Sequence, residues 1–226
     1  MSKNITAIVP TRAGSERLKN KNIRPFADKS LLQIKIDILK VLIEKGHIQK
    51  IVVNTNCEKS MEIAYANNID VVKRDEYYAS SECPINEYWN EVLTNGVETE
   101  ASMLCQVTSP LIKLETFEKC IINFNELGSP IMTVDYIKDY LWKVDKNKFY
   151  AVNYDYPNHP KSQDLEKFFF RINFGVVIIT KSDLLKYKNI MTPKTHCIYL
   201  NREECIDIDD AIDFSLAESI YLKLLK

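Results

Sequence analysis

Short apolar runs and longer amphipathic stretches alternate along this chain, and no other feature constrains its fold as much. The apolar runs occupy residues 5–9, 51–54, 71–72, 103–107 and 131–137, each suited in length and composition to a buried strand. Between them lie helical patterns. Ser30-Leu-Leu-Gln33 has the form of a capping box and opens a helix to about residue 45, and Thr55-Asn-Cys-Glu58 opens another to about residue 67. Pro84 suits a first helical turn, the helix it begins ends at Asn95-Gly96, and residues 114–127 form a further helix. Strands and helices in this order predict an α/β fold, a mostly parallel sheet covered by helices on both faces.

The pattern breaks near residue 138. Trp142-Lys-Val and Phe149-Tyr-Ala-Val flank Asp145-Lys-Asn-Lys148, which predicts a β-hairpin, and a polar loop over residues 154–163 follows. A long apolar strand then lies within residues 168–179, and Thr180-Lys-Ser-Asp183 caps a short helix. The chain closes on Cys205-Ile-Asp-Ile-Asp-Asp210 and an amphipathic helix with apolar residues at 212, 216, 220 and 224. At 226 residues this is expected to be one domain, residues 1–226, with an excursion at about 138–170.

Charge and composition exclude several classes. Thirty basic against 31 acidic residues leave no excess for a nucleic-acid surface. No apolar run approaches the ~20 residues that span a bilayer, and the opening Met-Ser-Lys-Asn lacks a signal-peptide pattern. The six cysteines are scattered with no C-x-x-C, as expected of reduced thiols in a cytoplasmic protein. Gly46, Gly96 and Gly128 each end a helical pattern, whereas Gly14 and Gly175 need another explanation.

Gly14 sits in the most informative loop. After the first strand, Pro10 is followed by two arginines (Arg12, Arg17), two lysines (Lys19, Lys21), Gly14 and Ser15. Glycine lets backbone N–H groups approach an anion, the hydroxyl adds a donor, and the cations supply charge where a polyphosphate would sit. A solvated basic loop has the same composition, but this one joins the first strand to the first helix, where α/β proteins bind nucleotides. Neither G-x-G-x-x-G nor G-x-x-x-x-G-K-[ST] is present.

Near the other end, Asp207 and Asp209 lie two apart in an extended segment, so their side chains point the same way. Paired carboxylates are typical Mg²⁺ ligands on a phosphate substrate. Alternatively, Asp209 or Asp210 caps the last helix. His47, His159 and His196 form no nucleophile–base pattern, and no G-x-S-x-G occurs.

The string Pro10-x-Arg12-x-Gly14-Ser15-x-Arg17-x-x-x-Lys21-Asn22 resembles the signature loop of the CMP-sialic acid synthetase (acylneuraminate cytidylyltransferase) family. That resemblance implies a nucleotidyltransferase-type fold, usually dimeric through the excursion, which joins CTP to an acidic nine-carbon sugar. It implies that Arg12, Gly14, Ser15, Lys21 and Asn22 meet the nucleotide, with Arg74 and the Ser80-Ser81 loop near the base. Asp207 and Asp209 match the acidic pair that holds the metal. Gln106-Val-Thr-Ser-Pro-Leu111 is similar to the family's acceptor-site motif, which carries over Gln106 and Ser109, and Gln163-Asp164-Leu165 matches a further element. Arg171 and Lys161 are candidate partners for the sugar carboxylate.

Departures cluster at the acceptor end. Ile112 stands where the family has arginine, Glu166-Lys167 replaces a Pro-Pro, and Asn173-Phe174-Gly175 displaces an asparagine from its glycine. They leave open a different acceptor, such as a phosphorylated metabolite. Glycosyltransferases that use nucleotide sugars share such a sheet and a D-x-D, though mid-chain, and a silent binding module would not need Arg12, Lys21, Asp207 and Asp209 together.

Overall fold

The computed structural model describes residues 4–14, 17–165 and 169–225. In chain order its strands are β1 (Ile5–Pro10), β2 (Pro25–Phe26), β3 (Lys29–Ser30), β4 (Lys50–Thr55), β5 (Asp70–Lys73), β6 (Ala101–Cys105), β7 (Ile131–Tyr136), β8 (Trp142–Asp145), β9 (Lys148–Ala151), β10 (Phe170–Thr180) and β11 (His196–Tyr199). Its helices are α1 (Leu31–Glu44), α2 (Glu58–Ala66), α3 (Glu76–Ala79), α4 (Ile85–Thr94), α5 (Leu114–Leu127), α6 (Lys181–Tyr187) and α7 (Ala211–Leu224). No helix among the described residues is long and apolar enough to cross a membrane.

Seven strands form the main sheet in the order β11-β7-β10-β6-β1-β4-β5. The pairs β1–β4, β1–β6, β4–β5 and β7–β11 are parallel, and β10 runs antiparallel to both its neighbours. β1 and β6 are buried throughout because helices cover both faces, and strand alternation divides their side chains between two cores. Ala7 and Val9 join Met103, Phe117 and residues of α1, α5 and α7 on one side. Ile8, between them, joins Val52, Leu104, Trp89 and Leu184 on the other. The chain leaves β1 for β4 on one side and reaches β6 on the other, which puts a topological switch point at the carboxyl end of β1.

The ends of the elements follow local chemistry, with some corrections. Pro10 is not outside β1 but its last residue, opposite Asn54. Ser30 caps α1 by accepting from Gln33 N at 3.1 Å, but the Gln33 amide goes to Asp37 and Asn67, so only half of the capping box forms. The box expected at Thr55 does not form. Thr55 Oγ1 accepts from Thr11 Oγ1 (2.8 Å) and Cys57 N (3.0 Å), and α2 begins at Glu58 without a side-chain cap. Gly128 ends α5 with a left-handed φ of 61°, the helix-terminating use expected of it.

Gly175 answers to packing. A Cβ there would lie 2.2 Å from Ile112 Cδ1, inside a bulge where the β10–β7 register shifts between Ile172 and Val177. Asn173 Oδ1 holds the bulge, accepting from Thr133 Oγ1 (2.7 Å) and Gly175 N (3.1 Å), and Phe174 takes a positive φ of 54°.

The excursion contains the expected hairpin, β8 against β9, turned by Lys146 and Asn147 in left-handed conformations. It exposes Val144 and Phe149, while Tyr140, Trp142, Tyr154 and Tyr156 pack ring against ring.

Candidate active site

At the switch point the carboxyl ends of β1, β5 and β6 open into a cleft of about 410 Å³. Thr11 and Arg12 enter it from the end of β1, Arg74 from the end of β5, and Gln106 to Thr108 from the end of β6. The basic loop contributes Arg17, Leu18, Lys21 and Asn22, and Asp209 closes the rim from the far end of the chain. A parallel sheet brings these segments together because its strands end on one edge, whatever their separation in sequence.

Arg74 forms one wall. It is 2% exposed, donates from Nη2 to the Thr11 carbonyl, and lies 5.4 Å from the Tyr88 ring centroid. Its Nε and Nη1 are buried with no close acceptor besides the neighbouring Tyr88 side chain, and burial lowers its affinity for a proton against the pull of that tyrosine. A buried guanidinium with unused donors is costly, and a ligand acceptor would relieve that cost. Arg12 is exposed at the mouth, with Nη1 on the Ala79 carbonyl at 3.0 Å.

The carboxylate pair is set around Ile208. That side chain is fully buried, which turns its neighbours Asp207 and Asp209 away from the core. The Ile208 amide donates to the Thr108 carbonyl (2.8 Å), and its own carbonyl accepts from Lys21 Nζ (2.5 Å). Asp209 Oδ1 lies 2.9 Å from Arg17 Nη2 and 3.9 Å from Lys21 Nζ. Burial draws the Lys21 ammonium below the usual lysine range, against the opposing pull of Asp209 and Asp207. Asp207 keeps contact with solvent, yet desolvation by the surrounding protein raises its carboxyl above the usual range, against a hydrogen bond to Thr108 that lowers it.

The cap of α7 falls to a different aspartate from the candidate metal pair. Asp210 caps α7, accepting from Ile212 N (2.8 Å) and Asp213 N (3.0 Å), while Asp213 Oδ2 accepts from the amides of Asp209 and Asp210. The carboxylates of Asp207 and Asp209 are therefore not consumed in ending the helix. Among the described residues no cluster of three or more His, Cys, Asp or Glu surrounds a metal position. Two hard oxygen donors nevertheless suit Mg²⁺, which keeps several waters or phosphate oxygens as its other ligands.

The other residues singled out from the sequence are scattered. Ser80 lines the cleft, but Ser81 does not. Gly14 is exposed with a φ of 76°, and Ser15 lies outside the described residues. Ser109 is buried beneath the cleft instead of lining it. Gln163 and Asp164 lie in a short 3₁₀ turn of the excursion, where Asp164 borders a separate cavity with Asn153, Tyr154 and Phe169. Arg171, expected to face a carboxylate, already has one, since Nε and Nη2 bond Asp135 Oδ2 at 3.1 and 2.7 Å.

Three contributors were not singled out from the sequence, although Thr108 lies within the 106–111 motif. Tyr88 backs Arg74, and Thr108 supports both Asp207 and Ile208. Glu204, 2% exposed, accepts from Lys113 N and Thr116 Oγ1 at the start of α5 and from Asn201 Nδ2, fastening the turn before the aspartates. Its only sequence signal is an acid shortly before the Asp pair.

An open α/β sheet, a cation-lined cleft at its switch point and Asp209 on the rim, with Asp207 two residues before it but outside the cleft lining, together define a nucleotidyltransferase-type domain. The model of the cytidylyltransferase family matches residues 6–172, and the chain belongs to that family. It is similar to the N-acylneuraminate cytidylyltransferase of Escherichia coli, with 27% identity over 235 residues covering 99% of this chain and 53% of that protein. It is also similar to the CMP-N,N'-diacetyllegionaminic acid synthase of Legionella pneumophila, 26% identical with 96% of this chain and 95% of that protein covered. The chain spans about half the length of the N-acylneuraminate cytidylyltransferases it matches, 53% and 51% for two of them. Among solved structures, a CMP:2-keto-3-deoxy-manno-octonic acid synthetase complexed with CTP superimposes with a TM-score of 0.68 over 98% of this chain and 99% of that one. At 12% identity this likeness shows the fold alone.

Proposed function

We propose that the protein transfers CMP from CTP to an acidic nine-carbon sugar of the sialic or legionaminic acid kind, releasing pyrophosphate. The observation that carries this reading is the convergence of Arg12, Lys21, Arg74 and Asp209 on one cleft from segments nearly 200 residues apart in sequence. In the reaction the sugar's anomeric hydroxyl oxygen bonds to the α-phosphorus of CTP. The bond from that phosphorus to the bridging oxygen breaks, the hydroxyl proton leaves, and pyrophosphate departs.

An anion attacks a polyanion here, so charge must be neutralised in place. Arg12 and Lys21 supply fixed cations for the phosphates, and Asn22 holds the loop by donating to the Arg12 carbonyl at 3.4 Å. Arg74 supports a choice of base. Cytosine presents two adjacent acceptors where uracil presents an acceptor and an N–H, so a guanidinium donor open to the cleft favours cytosine. A Mg²⁺ ion held by Asp207 and Asp209 would neutralise phosphate charge as the leaving group forms. The exposed apolar hairpin supports a homodimer, since such a patch is usually covered. Sedimentation of the wild type as a monomer at micromolar concentration would remove that part. The use of CTP supports a cytoplasmic setting, which cell fractionation tests.

The deciding experiment measures pyrophosphate release from CTP, UTP, ATP and GTP against a panel of acidic sugars and phosphorylated metabolites. CTP with an acidic nine-carbon sugar is expected to give the highest kcat/KM. A better rate with another triphosphate, or with a phosphorylated metabolite, overturns the proposal.

A further inference from the structure

Lys35 is the one lysine of α1 that is wholly buried, and nothing in the reading above uses it. Its Nζ donates to the Ser109 carbonyl at 3.0 Å and stands 5.0 Å from the Phe117 ring centroid. Among the described residues no carboxylate forms an ion pair with it. The titratable group facing it is the Cys105 thiol on β6, with Cys120 of α5 beside that thiol, and burial keeps both neutral by pushing each up to about 12. A buried ammonium without a counter-ion destabilises a fold, and an apolar side chain of the same length would pack there at less cost. The position is better explained by what the ammonium holds.

It holds the turn between β6 and α5, the stretch 106–113. Gln106 and Thr108 of that turn enter the cleft, and Ser109, next in sequence, is buried under it. Thr108 in turn fixes the aspartate segment by its carbonyl, which accepts from the Ile208 amide at 2.8 Å, and its side chain lies beside Asp207. A continuous chain of contacts therefore runs from Lys35 through Ser109 and Thr108 to Asp207, Ile208 and Asp209. We propose that Lys35 is a positioning residue. Its ammonium anchors the 106–113 turn from below, so that Thr108 keeps the carboxylate pair aligned with the cleft. It touches neither nucleotide nor acceptor. The catalytic part of this inference rests on the nucleotidyl-transfer reading, and the structural part does not.

Burial lowers the Lys35 ammonium to about 8, so the charge-assisted anchor weakens on the alkaline side of neutrality. The test compares the wild type with Lys35→Met, which keeps length and removes charge, and Lys35→Gln, which keeps a donor. Readouts are kcat, KM for CTP, melting temperature, and amide hydrogen exchange over residues 106–113 and 205–210. Lys35→Met is expected to melt no lower than the wild type and to lose about tenfold or more in kcat, with KM for CTP within about threefold. Exchange in both segments should rise by about fivefold or more. Lys35→Gln should recover part of kcat, and the wild type's fall in kcat above pH 8 should be missing in Lys35→Met. A kcat within about twofold of wild type, or unchanged exchange, overturns the proposal. So does a loss of kcat that only tracks a lower melting temperature. If Lys35→Met does not fold, Lys35→Gln decides by the same criteria. If the wild type releases no pyrophosphate from CTP with any acceptor, the functional reading fails, while the exchange comparison still rules on the anchor.

Discussion

Asp209 is held by two cations of the same loop, and their different burial predicts different consequences. Arg17 makes the shorter contact, 2.9 Å, but its side chain is 67% exposed. Exposed pairs of this kind contribute about 0–1 kcal/mol, because water screens them and two long side chains must be ordered. Lys21 stands at 3.9 Å from Asp209 with only 14% of its side chain exposed, and its ammonium also grips the carbonyl between the two aspartates. A charge-assisted hydrogen bond in such a setting is worth about 1.5–3 kcal/mol, and alignment with developing phosphate charge raises its worth to about 2–4 kcal/mol in the transition state. Lys21→Met is therefore expected to lower kcat/KM for CTP by roughly 30- to 1,000-fold. Arg17→Ala should change it by less than about fivefold. Lys19→Ala, exposed and away from the cleft lining, should stay within about twofold, as a neutral surface change does. The assay is pyrophosphate release at saturating acceptor, with melting temperatures measured in parallel. Equal small effects at all three positions would refute the argument and leave the loop a solvated surface. A larger effect at Arg17 than at Lys21 would refute the weight given to burial.

The aspartates should separate by role. Asp207→Asn and Asp209→Asn are each expected to cut kcat about 100-fold or more with little change in melting temperature, whereas Asp210→Ala should cost about 1 kcal/mol of stability in urea denaturation and leave kcat nearly intact. Near-normal activity of both Asn variants at limiting Mg²⁺ would remove the metal role. Arg74→Lys keeps the charge and loses the forked donors, so the ratio of kcat/KM for CTP over UTP should fall by about tenfold; an unchanged ratio would detach Arg74 from the base. Lys35 also sets a pH dependence of stability. Its folded value of about 8 lies below the ordinary 10.5, so the folded state releases its proton first, and the charge-burial penalty is full below pH 8 and fades as pH rises to 10.5. Lys35→Met should thus be the more stable protein at pH 7, by up to about 3 kcal/mol, with the gap closing toward pH 10.5. A gap independent of pH would show that Lys35 carries no buried charge.

The parallel half of the fold was legible because strands buried on both faces are continuous apolar runs. Residues 5–9, 51–54 and 103–107 have few polar interruptions, and β1 and β6 are buried throughout. β11 escaped notice for the opposite reason. It is an edge strand of four residues, His196 to Tyr199, with one of the four buried, so it lacks both length and pattern. α3, four residues with none buried, has no apolar face to detect. The single reversed strand, β10, was also hidden, because periodicity carries no direction and only the return from the excursion makes it antiparallel to β7.

The two ends of the cleft were legible to different degrees, and the reason is range. The proposed nucleotide end is written in short-range spacing, from Arg12 to Asn22 within one loop and Asp207 to Asp209 within one extended segment. Its supports are not. Lys35 belongs to no motif, and its contact with Ser109 crosses 74 residues. The proposed acceptor end draws on residues 106–112 and 163–175, and there the chain departs from the pattern it resembles. Ile112, where that pattern has arginine, is 1% exposed and packs over Gly175, so a position for a cation has become part of the core. Arg171, a candidate partner for the sugar carboxylate, is already bound by Asp135 through two nitrogens. Cations are therefore kept where the triphosphate would lie, and are replaced by an apolar residue or paired with a carboxylate where the acceptor would lie. Such a division is expected of a chain that retains its nucleotide and differs from its relatives in the sugar it accepts. It makes the acceptor panel, rather than the nucleotide series, the experiment with the most to reveal.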